Sequence, residues 1–283
     1  MPERSAYPTD LTDAEWAILE PHVPAPKPGG RPITHPRREI CNAIFYVLRS
    51  GGAWRLLPHE LPPWQTVYGY FRAWRRDGTW QRMHDALRTA VRVAAGRQPQ
   101  PSAAILDSQS VKTTDRGGVR GYDAGKKVSG RKRHLLVDTL GLLLLVVVHA
   151  AHLQDRDGAK LVCLRAKRQY PRLRLLWADG GYRGKLVRWM ATLCPWTLRI
   201  VKQSGRGFQV LPKRWIVERT FAWLLHFRRL SKDYEFLTET SEAIIQVAMI
   251  HLMVRRLARQ HHPLLPVAQP VSPPLTTRLP LAA

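Results

Sequence analysis

The chain has 283 residues, with 45 Lys and Arg against 21 Asp and Glu, which gives a formal net charge of +24. Hydrophobic residues make up 45% of the sequence, which is enough for a globular core and excludes a disordered polybasic chain. Such a charge favours a polyanionic partner, above all nucleic acid. An acidic membrane surface is the main competing partner, but the basic residues are scattered instead of clustered beside an anchor.

Neither an export signal nor a membrane span is expected. The first residues, MPERSAYPTDLTDAEW, are charged, and the most apolar run, at 140–151, is shorter than the ~20 residues that a transmembrane helix needs. Three cysteines, Cys41, Cys163 and Cys194, lie far apart in the sequence, which argues against a disulfide framework or a zinc site. These features predict a cytoplasmic protein with reduced thiols.

The N-terminal region is predicted to be helical. RREICNAIFYVLRSG has apolar residues at helical spacing, and WQTVYGYFRAWRRDG forms a second amphipathic helix after a turn broken by prolines. The second helix carries Arg72, Arg75 and Arg76 beside several aromatic residues. This pattern is typical of a helix-turn-helix whose later helix enters a DNA major groove. A helical bundle with a solvated arginine face is an almost equal alternative, and the charge of the whole chain favours DNA.

Proline and glycine residues divide the chain into two folded parts and a tail. VPAPKPGGRP at 23–32 and AGRQPQPSA at 95–103 are predicted linkers. We therefore expect a helical domain at 1–98, a second domain at 99–261, and a disordered Pro-rich tail at 262–283.

The second domain is predicted to have an α/β fold. An apolar strand ends at Asp107, two strands at 131–138 and 142–149 form a hairpin, and helices then alternate with strands from residue 155 onward. An antiparallel hairpin extended by parallel crossovers gives a mixed sheet flanked by helices. This order of elements is similar to the ribonuclease H fold.

Three acidic residues are predicted to meet at the strand ends of this sheet. Asp107 ends the first strand, Asp179 ends the fourth, and Glu218 lies in the helix after the fifth. Ligand sites in such sheets form at strand ends, where these carboxylates would repel one another. A hard divalent ion would relieve the repulsion, and two ions could activate an attacking oxygen and stabilise a leaving oxygen at a phosphodiester.

Each of these acids also has an interpretation without a metal. Asp107 could form a local turn with the serine that follows it, and Asp179 precedes two glycines, an ordinary turn signal. Glu218 could pair with Arg214 one helical turn earlier, but such a pair contributes only ~0.2–0.5 kcal/mol. We expect Glu218 to lie in an apolar seam of its helix, which that pair would not explain.

Several blocks of the sequence resemble bacterial insertion-sequence transposases of the DDE type, in the family of insertion sequence five. The blocks are ILDSQSVKT, HLLVDTLG, WADGGYRG and WIVERTFAWLLHFRRLSKDYE, with LTDAEWAILEPHVP and WQTVYGYFRAW in the leading region. The resemblance covers residues 10 to about 258. It implies a small helical DNA-binding domain followed by a ribonuclease H-like DDE domain. In the DDE domain, Asp107, Asp179 and Glu218 would hold two magnesium ions, or manganese.

The resemblance also implies a function. The expected enzyme binds the terminal inverted repeats of an insertion sequence, cleaves DNA by metal-activated hydrolysis, and joins the 3′ ends to target double-stranded DNA. It would act as a homo-oligomer on DNA, associated with the bacterial nucleoid. Two alternatives stay open: an inactive transposon-derived DNA-binding protein, and a ribonuclease H-like nuclease without strand transfer.

Basic residues around the three acids are candidate DNA contacts. Related families place a Tyr and a Lys around the Glu helix, where this chain has Leu211 and Leu225. Neighbouring cations would then hold the DNA phosphates. The candidates are Lys126, Lys127 and Arg131 in and after a loop, with Arg214, Arg228, Arg229 and Lys232 around the Glu218 helix.

Two further groups of residues have both a functional and a structural interpretation. His149 and His152, followed by Asp155 and Asp157, could form another metal cluster, although a strand leading into an N-capped helix accounts for them as well. The tryptophans could stack on an unpaired base or pack in the core. They are Trp177, Trp215 and Trp223.

Overall fold

The computed structural model describes residues 4–25, 34–115, 117–201 and 213–261. The predicted tail at 262–283, most of the linker at 23–32, and Leu211 lie outside the described residues. Within these ranges, no helix is long and apolar enough to cross a membrane.

The N-terminal region is built of α-helices, as predicted. Its first helix begins with a capping box, in which Thr12 Oγ1 accepts the N–H of Glu15 and the Glu15 carboxylate accepts the N–H of Thr12. The second helix ends at Gly51, whose φ of 78° suits glycine. The four helices are α1 (Asp13–Leu19), α2 (Arg37–Ser50), α3 (Trp64–Arg76) and α4 (Thr79–Ala94).

A mixed sheet follows, which confirms the predicted α/β class. Its strands are β1 (Ala103–Lys112), β2 (Gly121–Asp123), β3 (Val128–Asp138), β4 (Leu143–Ala150), β5 (Leu175–Ala178) and β6 (Thr197–Ile200). The order is β2-β3-β1-β5-β6, with β4 also paired to β3. The β1–β3 and β3–β4 pairs are antiparallel, whereas β1–β5 and β5–β6 are parallel. The short strand β2 lies in a segment that the sequence suggested to be a flexible loop.

Helices cover both faces of this sheet. They are α5 (Asp155–Gln169), α6 (Lys185–Leu193), α7 (Arg214–Leu225) and α8 (Thr238–His261). Ala104 and Leu106 of β1 pack in the hydrophobic cluster of α5 and α6, whereas Ile105 packs in the cluster of α7, α8 and the N-terminal helices. Because side chains alternate along a strand, every second residue of β1 faces α7.

Helix α8 connects the N-terminal helices to the sheet. It packs against α1 and α4 on one side and against β4 on the other. A buried ion pair between Arg92 of α4 and Asp138 of β3 adds a second connection. The predicted boundary between the two domains, at residues 98 and 99, falls between α4 and β1. One hydrophobic cluster includes residues from both sides of this boundary, so the division into two domains stays a prediction.

Candidate active site

Asp107 and Asp179 lie at the same level of two adjacent parallel strands. Asp179 directly follows β5, but β1 continues to Lys112 through its pairing with β3, so the prediction that the first strand ends at Asp107 is wrong. The pairing of β1 with β5 places Ile105 beside Trp177, so the register carried two residues further places Asp107 beside Asp179. Adjacent strands lie ~4.8 Å apart. Asp107 and Asp179 lie two residues after Ile105 and Trp177, so they face the same side of the sheet as those two residues. Ile105 and Trp177 contact the hydrophobic cluster that contains α7. The structure therefore brings these two predicted site residues together on the α7 face.

The environment of these two carboxyl groups makes ionisation of Asp107 unfavourable. Burial raises the pKa of Asp107 to about 6. A hydrogen bond from the N–H of Ser108, at 2.7 Å, lowers this pKa in part, and the negative charge of Asp179 raises it further. Asp179 accepts the N–H of Gly181 at 2.8 Å, at the start of a short 3₁₀ turn. A carboxyl group whose pKa is raised beside a second carboxylate is typical of a functional site.

Glu218 is connected to this pair through Arg214. Arg214 Nε lies 3.2 Å from Glu218 Oε1, and Arg214 Nη2 lies 3.7 Å from Asp179 Oδ2. The Glu218 side chain is 55% exposed, so the expectation that it lies in an apolar seam is wrong. The helix turns by 100° per residue, which places the seam on another face of α7. The seam consists of Ile216, Val217, Thr220, Phe221 and Leu224.

The donor set fits a divalent cation in part. Asp107 and Asp179 provide hard oxygen ligands one strand spacing apart, and a cation would relieve the repulsion that raises the pKa of Asp107. In the described part of the chain, no three acidic, His or Cys side chains are grouped closely enough to hold one ion. The structure does not group Glu218 with the two aspartates, and its carboxylate is paired with Arg214.

A polar network on the opposite face of the sheet supports β1. Ser108 Oγ donates to Asp155 Oδ1 at 2.8 Å, and Lys132 Nζ lies 3.0 Å from the same oxygen. Asp155 therefore has a structural role at the start of α5, and the ranges covered by the structure contain no second metal cluster. Helix α5 begins at Asp155, as predicted, and its N-cap residue is Gln154, whose side chain makes no capping hydrogen bond.

A buried hydrogen-bonded chain begins at Tyr182, three residues after Asp179. The Tyr182 hydroxyl lies 3.0 Å from His134 Nε2, and His134 Nδ1 lies 2.9 Å from His149 Nε2. His149 Nδ1 lies 2.9 Å from the carbonyl of Ala150. Because that carbonyl only accepts, His149 donates to it, His134 donates to His149, and Tyr182 donates to His134. The chain anchors the turn that carries Asp179.

The two histidine rings of this hydrogen-bonded chain are neutral at physiological pH, since burial lowers the pKa of His134 and of His149. Gly158 allows α5 to pack directly on them, because a Cβ atom there would come within 2.5 Å of both rings. Neither Tyr182 nor His134 was predicted from the sequence as a site residue. The tyrosine of WADGGYRG was the available signal, but its partner lies 48 residues earlier in the chain.

Comparisons with known proteins bear on what this arrangement does. A family model described as a transposase DDE domain matches residues 98–253, more than half of the chain. A second model, described as a transposase of the IS4/5 family, matches residues 11–84. The chain belongs to the DDE transposases of insertion sequences.

Two relatives of this transposase come from insertion element IS402 of Burkholderia cepacia. An uncharacterized 16.2 kDa protein is 32% identical over 115 residues, which cover 38% of this chain and 76% of the relative. A protein named as a transposase for the same element is 31% identical over 116 residues, or 38% of this chain and 54% of the relative. The match thus spans about half the length of the second relative. No solved structure matches the transposase.

Most of the predicted DNA contacts of the transposase lie at its surface. Lys126 is near the carboxylates, because its Nζ donates to the carbonyl of Ser108 at 3.2 Å. These residues stay predictions as DNA contacts. The exposed ones are Arg72, Arg76, Lys126, Lys127, Arg228 and Lys232, and the half-buried ones are Arg75 and Arg214.

Two predicted DNA contacts are wrong, because the transposase buries their guanidinium groups. Arg131 is fully buried, with Nη1 3.1 Å from Asp233 Oδ1 and Nη2 donating to the carbonyl of Phe236. Arg229 is 5% exposed, and its Nη2 donates to Glu235 Oε1 at 2.7 Å. Both arginines instead hold the segment between α7 and α8 in place.

Proposed function

We propose that this transposase cleaves DNA at the ends of its insertion sequence and joins the 3′ ends to target DNA. The observation that carries the proposal is the register of Asp107 and Asp179 on neighbouring parallel strands, with Arg214 placed between Asp179 and Glu218. Carboxylates at this position suit phosphoryl transfer at a phosphodiester. The net charge of +24 suits a DNA substrate.

The proposed architecture is a ribonuclease H-like catalytic domain preceded by a helix-turn-helix-like DNA-binding domain. The antiparallel β3–β4 hairpin beside β1, followed by parallel β5 and β6, supports the first part. The exposed Arg72 and Arg76 on α3 support the second, because a basic helix can enter a major groove. Terminal inverted repeats of the element are the proposed sequence that this region binds.

The carboxylates of the proposed site would hold magnesium or manganese ions, with Asp107 and Asp179 as the first two ligands and Glu218 as the third. When bound, such ions lower the pKa of water and stabilise charge on the leaving oxygen. Arg214 would exchange its carboxylate partners for a DNA phosphate, which frees Glu218. Lys126, beside the carbonyl of Ser108, would hold the backbone of the strand being cut.

Two ends of an element must be cut together, so the proposed active form is a homo-oligomer on DNA. A strand-transfer assay with labelled element ends, target plasmid and magnesium tests the proposed function. Joined product supports transposition, whereas cutting without joining supports a nuclease. Binding without cutting supports an inactive DNA-binding protein.

Conservative variants connect this assay to the proposed site. We expect D107N, D179N and E218Q to reduce cleavage by at least about 100-fold while they keep DNA affinity, because each removes a ligand charge without removing volume. The control is Asp157→Asn, which removes an acid that pairs with Lys160 on α5. Full cleavage by any of the three site variants would remove that residue from the proposed site.

A further inference from the structure

A cavity lies between α7 and α8. Its volume is about 720 Å³, and its walls include residues of α7, of α8 and of the turn between β3 and β4. We call it the α7–α8 cleft. Arg219 lines it and follows Glu218 directly, so α7 presents the acid and the cleft on neighbouring faces. The proposed active site uses none of the residues that line this cleft.

The α7–α8 cleft has a strong positive charge. Five arginines line it, and no Asp or Glu is among its described lining residues. Arg255 has a carboxylate nearby, since its Nε lies 3.4 Å from Glu15 Oε1. The side chains of Arg256 and Arg259 form no ion pair or hydrogen bond with the part of the chain that the structure describes. Buried Asp138 also acts on Arg219, but its carboxylate is already paired with Arg92.

Arg219 is held rigidly in this cleft. Its guanidinium lies between two indole rings, 4.5 Å from the centroid of Trp215 and 4.7 Å from that of Trp223. Its Nη2 donates to the carbonyl of Leu140 at 2.9 Å, whereas its Nε is buried and has no hydrogen-bond partner among the described residues. Burial and the charge of Arg256 both lower the pKa of Arg219. An anion between the two arginines would relieve that repulsion.

We propose that the α7–α8 cleft binds the phosphodiester backbone of one DNA strand, through Arg219 and Arg256. This inference rests on the proposed function, and it adds a strand-binding site to the carboxylate site. Pockets of about 300–1,000 Å³ hold one small ligand, so a cleft of 720 Å³ accommodates about one or two nucleotides but not a duplex. The two tryptophans, for which the sequence left base stacking and core packing open, hold Arg219 between their rings.

The charge of the cleft favours DNA over the main alternative occupant, which is the chain's own C-terminal segment. Residues 262–283 contain no Asp or Glu, and they include Arg278. A basic, Pro-rich segment does not neutralise five arginines, whereas consecutive phosphates do. The shared chemistry is the phosphate group, which a free phosphate ion could also supply.

The test measures binding of a labelled oligothymidine of about ten nucleotides to the full chain in EDTA, by fluorescence anisotropy. We expect Arg256→Gln to weaken binding about fivefold to tenfold, and Arg219→Gln with Arg256→Gln by about 30-fold or more. Each lost phosphate contact should lower the salt dependence of log K by about 0.7. Arg168→Gln, an exposed arginine on α5, is the charge-matched control and should change affinity less than twofold.

The Arg256 side chain makes no hydrogen bond or ion pair with the described residues, so Arg256→Gln should fold with a nearly unchanged melting temperature. Equal effects of Arg256→Gln and Arg168→Gln would overturn the proposal. So would full competition by millimolar inorganic phosphate with no dependence on oligonucleotide length, which would indicate a site for free anions. A tenfold rise in affinity on ending the chain at residue 261 would assign the cleft to the C-terminal segment and would also overturn it.

The outcome does not depend on whether the carboxylate site is active. The assay contains no metal, and D107N protein should give the same affinities as the parent. Loss of oligonucleotide binding in Arg256→Gln, together with a parent that cuts no DNA, would support the cleft and reject the proposed function. Normal strand transfer by the parent protein, together with unchanged oligonucleotide binding in Arg256→Gln, would support the proposed function and reject the role of the cleft.

Discussion

Arg214 and Asp179 face each other between α7 and the end of β5, with Arg214 Nη2 3.7 Å from Asp179 Oδ2. The same guanidinium has its Nε 3.2 Å from Glu218 Oε1. One cationic side chain is therefore shared by two of the three acids that are proposed to hold metal ions. A metal ion bound to these acids would compete with Arg214 for the same negative charge, so the proposed site would couple the binding of DNA to the binding of metal through this arginine.

Arg214→Gln should tighten metal binding to the DNA-free protein. Removing a cation next to two carboxylates lowers the electrostatic cost of adding a divalent ion, and partial exposure limits the gain to about threefold to tenfold. Isothermal titration calorimetry with manganese measures the change. Arg188→Gln removes an exposed arginine from α6 and serves as the control. An equal gain in both variants would attribute the effect to net charge and contradict the role of the contact.

Asp107→Asn should stabilise the metal-free protein at neutral pH. Burial raises the pKa of Asp107 to about 6, above its unfolded value of about 4, so the native state binds more protons than the unfolded state between these values. Ionisation therefore costs stability as the pH rises through this interval. The Asn variant should melt at a higher temperature above pH 6 and show no advantage below about pH 4. Thermal melts in EDTA from pH 4 to 8 test this.

Asp155→Asn should have the opposite effect in the same experiment. Burial disfavours the ionised Asp155, but hydrogen bonds from Lys132 and Ser108 outweigh burial and lower its pKa. Its ionised form therefore stabilises the fold above the unfolded pKa of about 4, and this contribution is lost as the pH falls below that value. The Asn variant should melt at a lower temperature at pH 7. A shift of the same sign in both variants would contradict the assigned environments.

The sequence was sufficient for most of the sheet because strands depend on a local pattern. Apolar runs mark the strands and bring Asp107 and Asp179 to the same level, although β1 continues past Asp107 to Lys112 through its pairing with β3. The setting of Glu218 was predicted wrongly because aromatic neighbours suggested burial. Trp215 is 41% exposed, which shows that an aromatic residue in a helix of a nucleic-acid enzyme need not mark its core.

The buried arginines could not be predicted, because their partners are distant in sequence. The segment RKRH at 131–134 lies in a strand that was predicted, but its charged composition gave no sign that it is buried throughout. Asp233, which pairs with Arg131, lies 102 positions later. The chain between Tyr182 and His134 is similarly non-local. Side-chain pairing of this kind depends on the tertiary fold, and local propensity contains no information about it.

Arg131→Ala should destabilise the fold strongly. It leaves the carboxylate of Asp233, which is 2% exposed, without its cationic partner, and the loss of one member of a buried ion pair costs about 3–5 kcal/mol. Lys127→Ala, in the exposed turn before β3, should change the unfolding free energy by less than about 0.5 kcal/mol. Urea denaturation compares the two. Wild-type stability of Arg131→Ala with weakened DNA binding would restore the DNA-contact interpretation.

Tyr182→Phe should slow DNA cleavage beyond its effect on stability. The change removes the hydroxyl that donates to His134 and leaves a buried ring nitrogen without a donor, which costs about 1–3 kcal/mol. The turn that carries Asp179 then loses its anchor, so we expect a cleavage rate at least about tenfold lower at saturating DNA and metal. Small displacements of reacting groups have effects of this size or larger.

Tyr170→Phe separates a positioning role of Tyr182 from general stabilisation. The Tyr170 hydroxyl is also buried, and it donates to the carbonyl of Leu144 at 2.6 Å at the C-terminal end of α5, whereas Asp155 is at the N-terminal end. This variant should lose a similar unfolding free energy but cleave at the parental rate, measured well below both melting temperatures. Equal cleavage rates in the two Phe variants would mean that the chain from Tyr182 to His149 stabilises the fold without positioning Asp179.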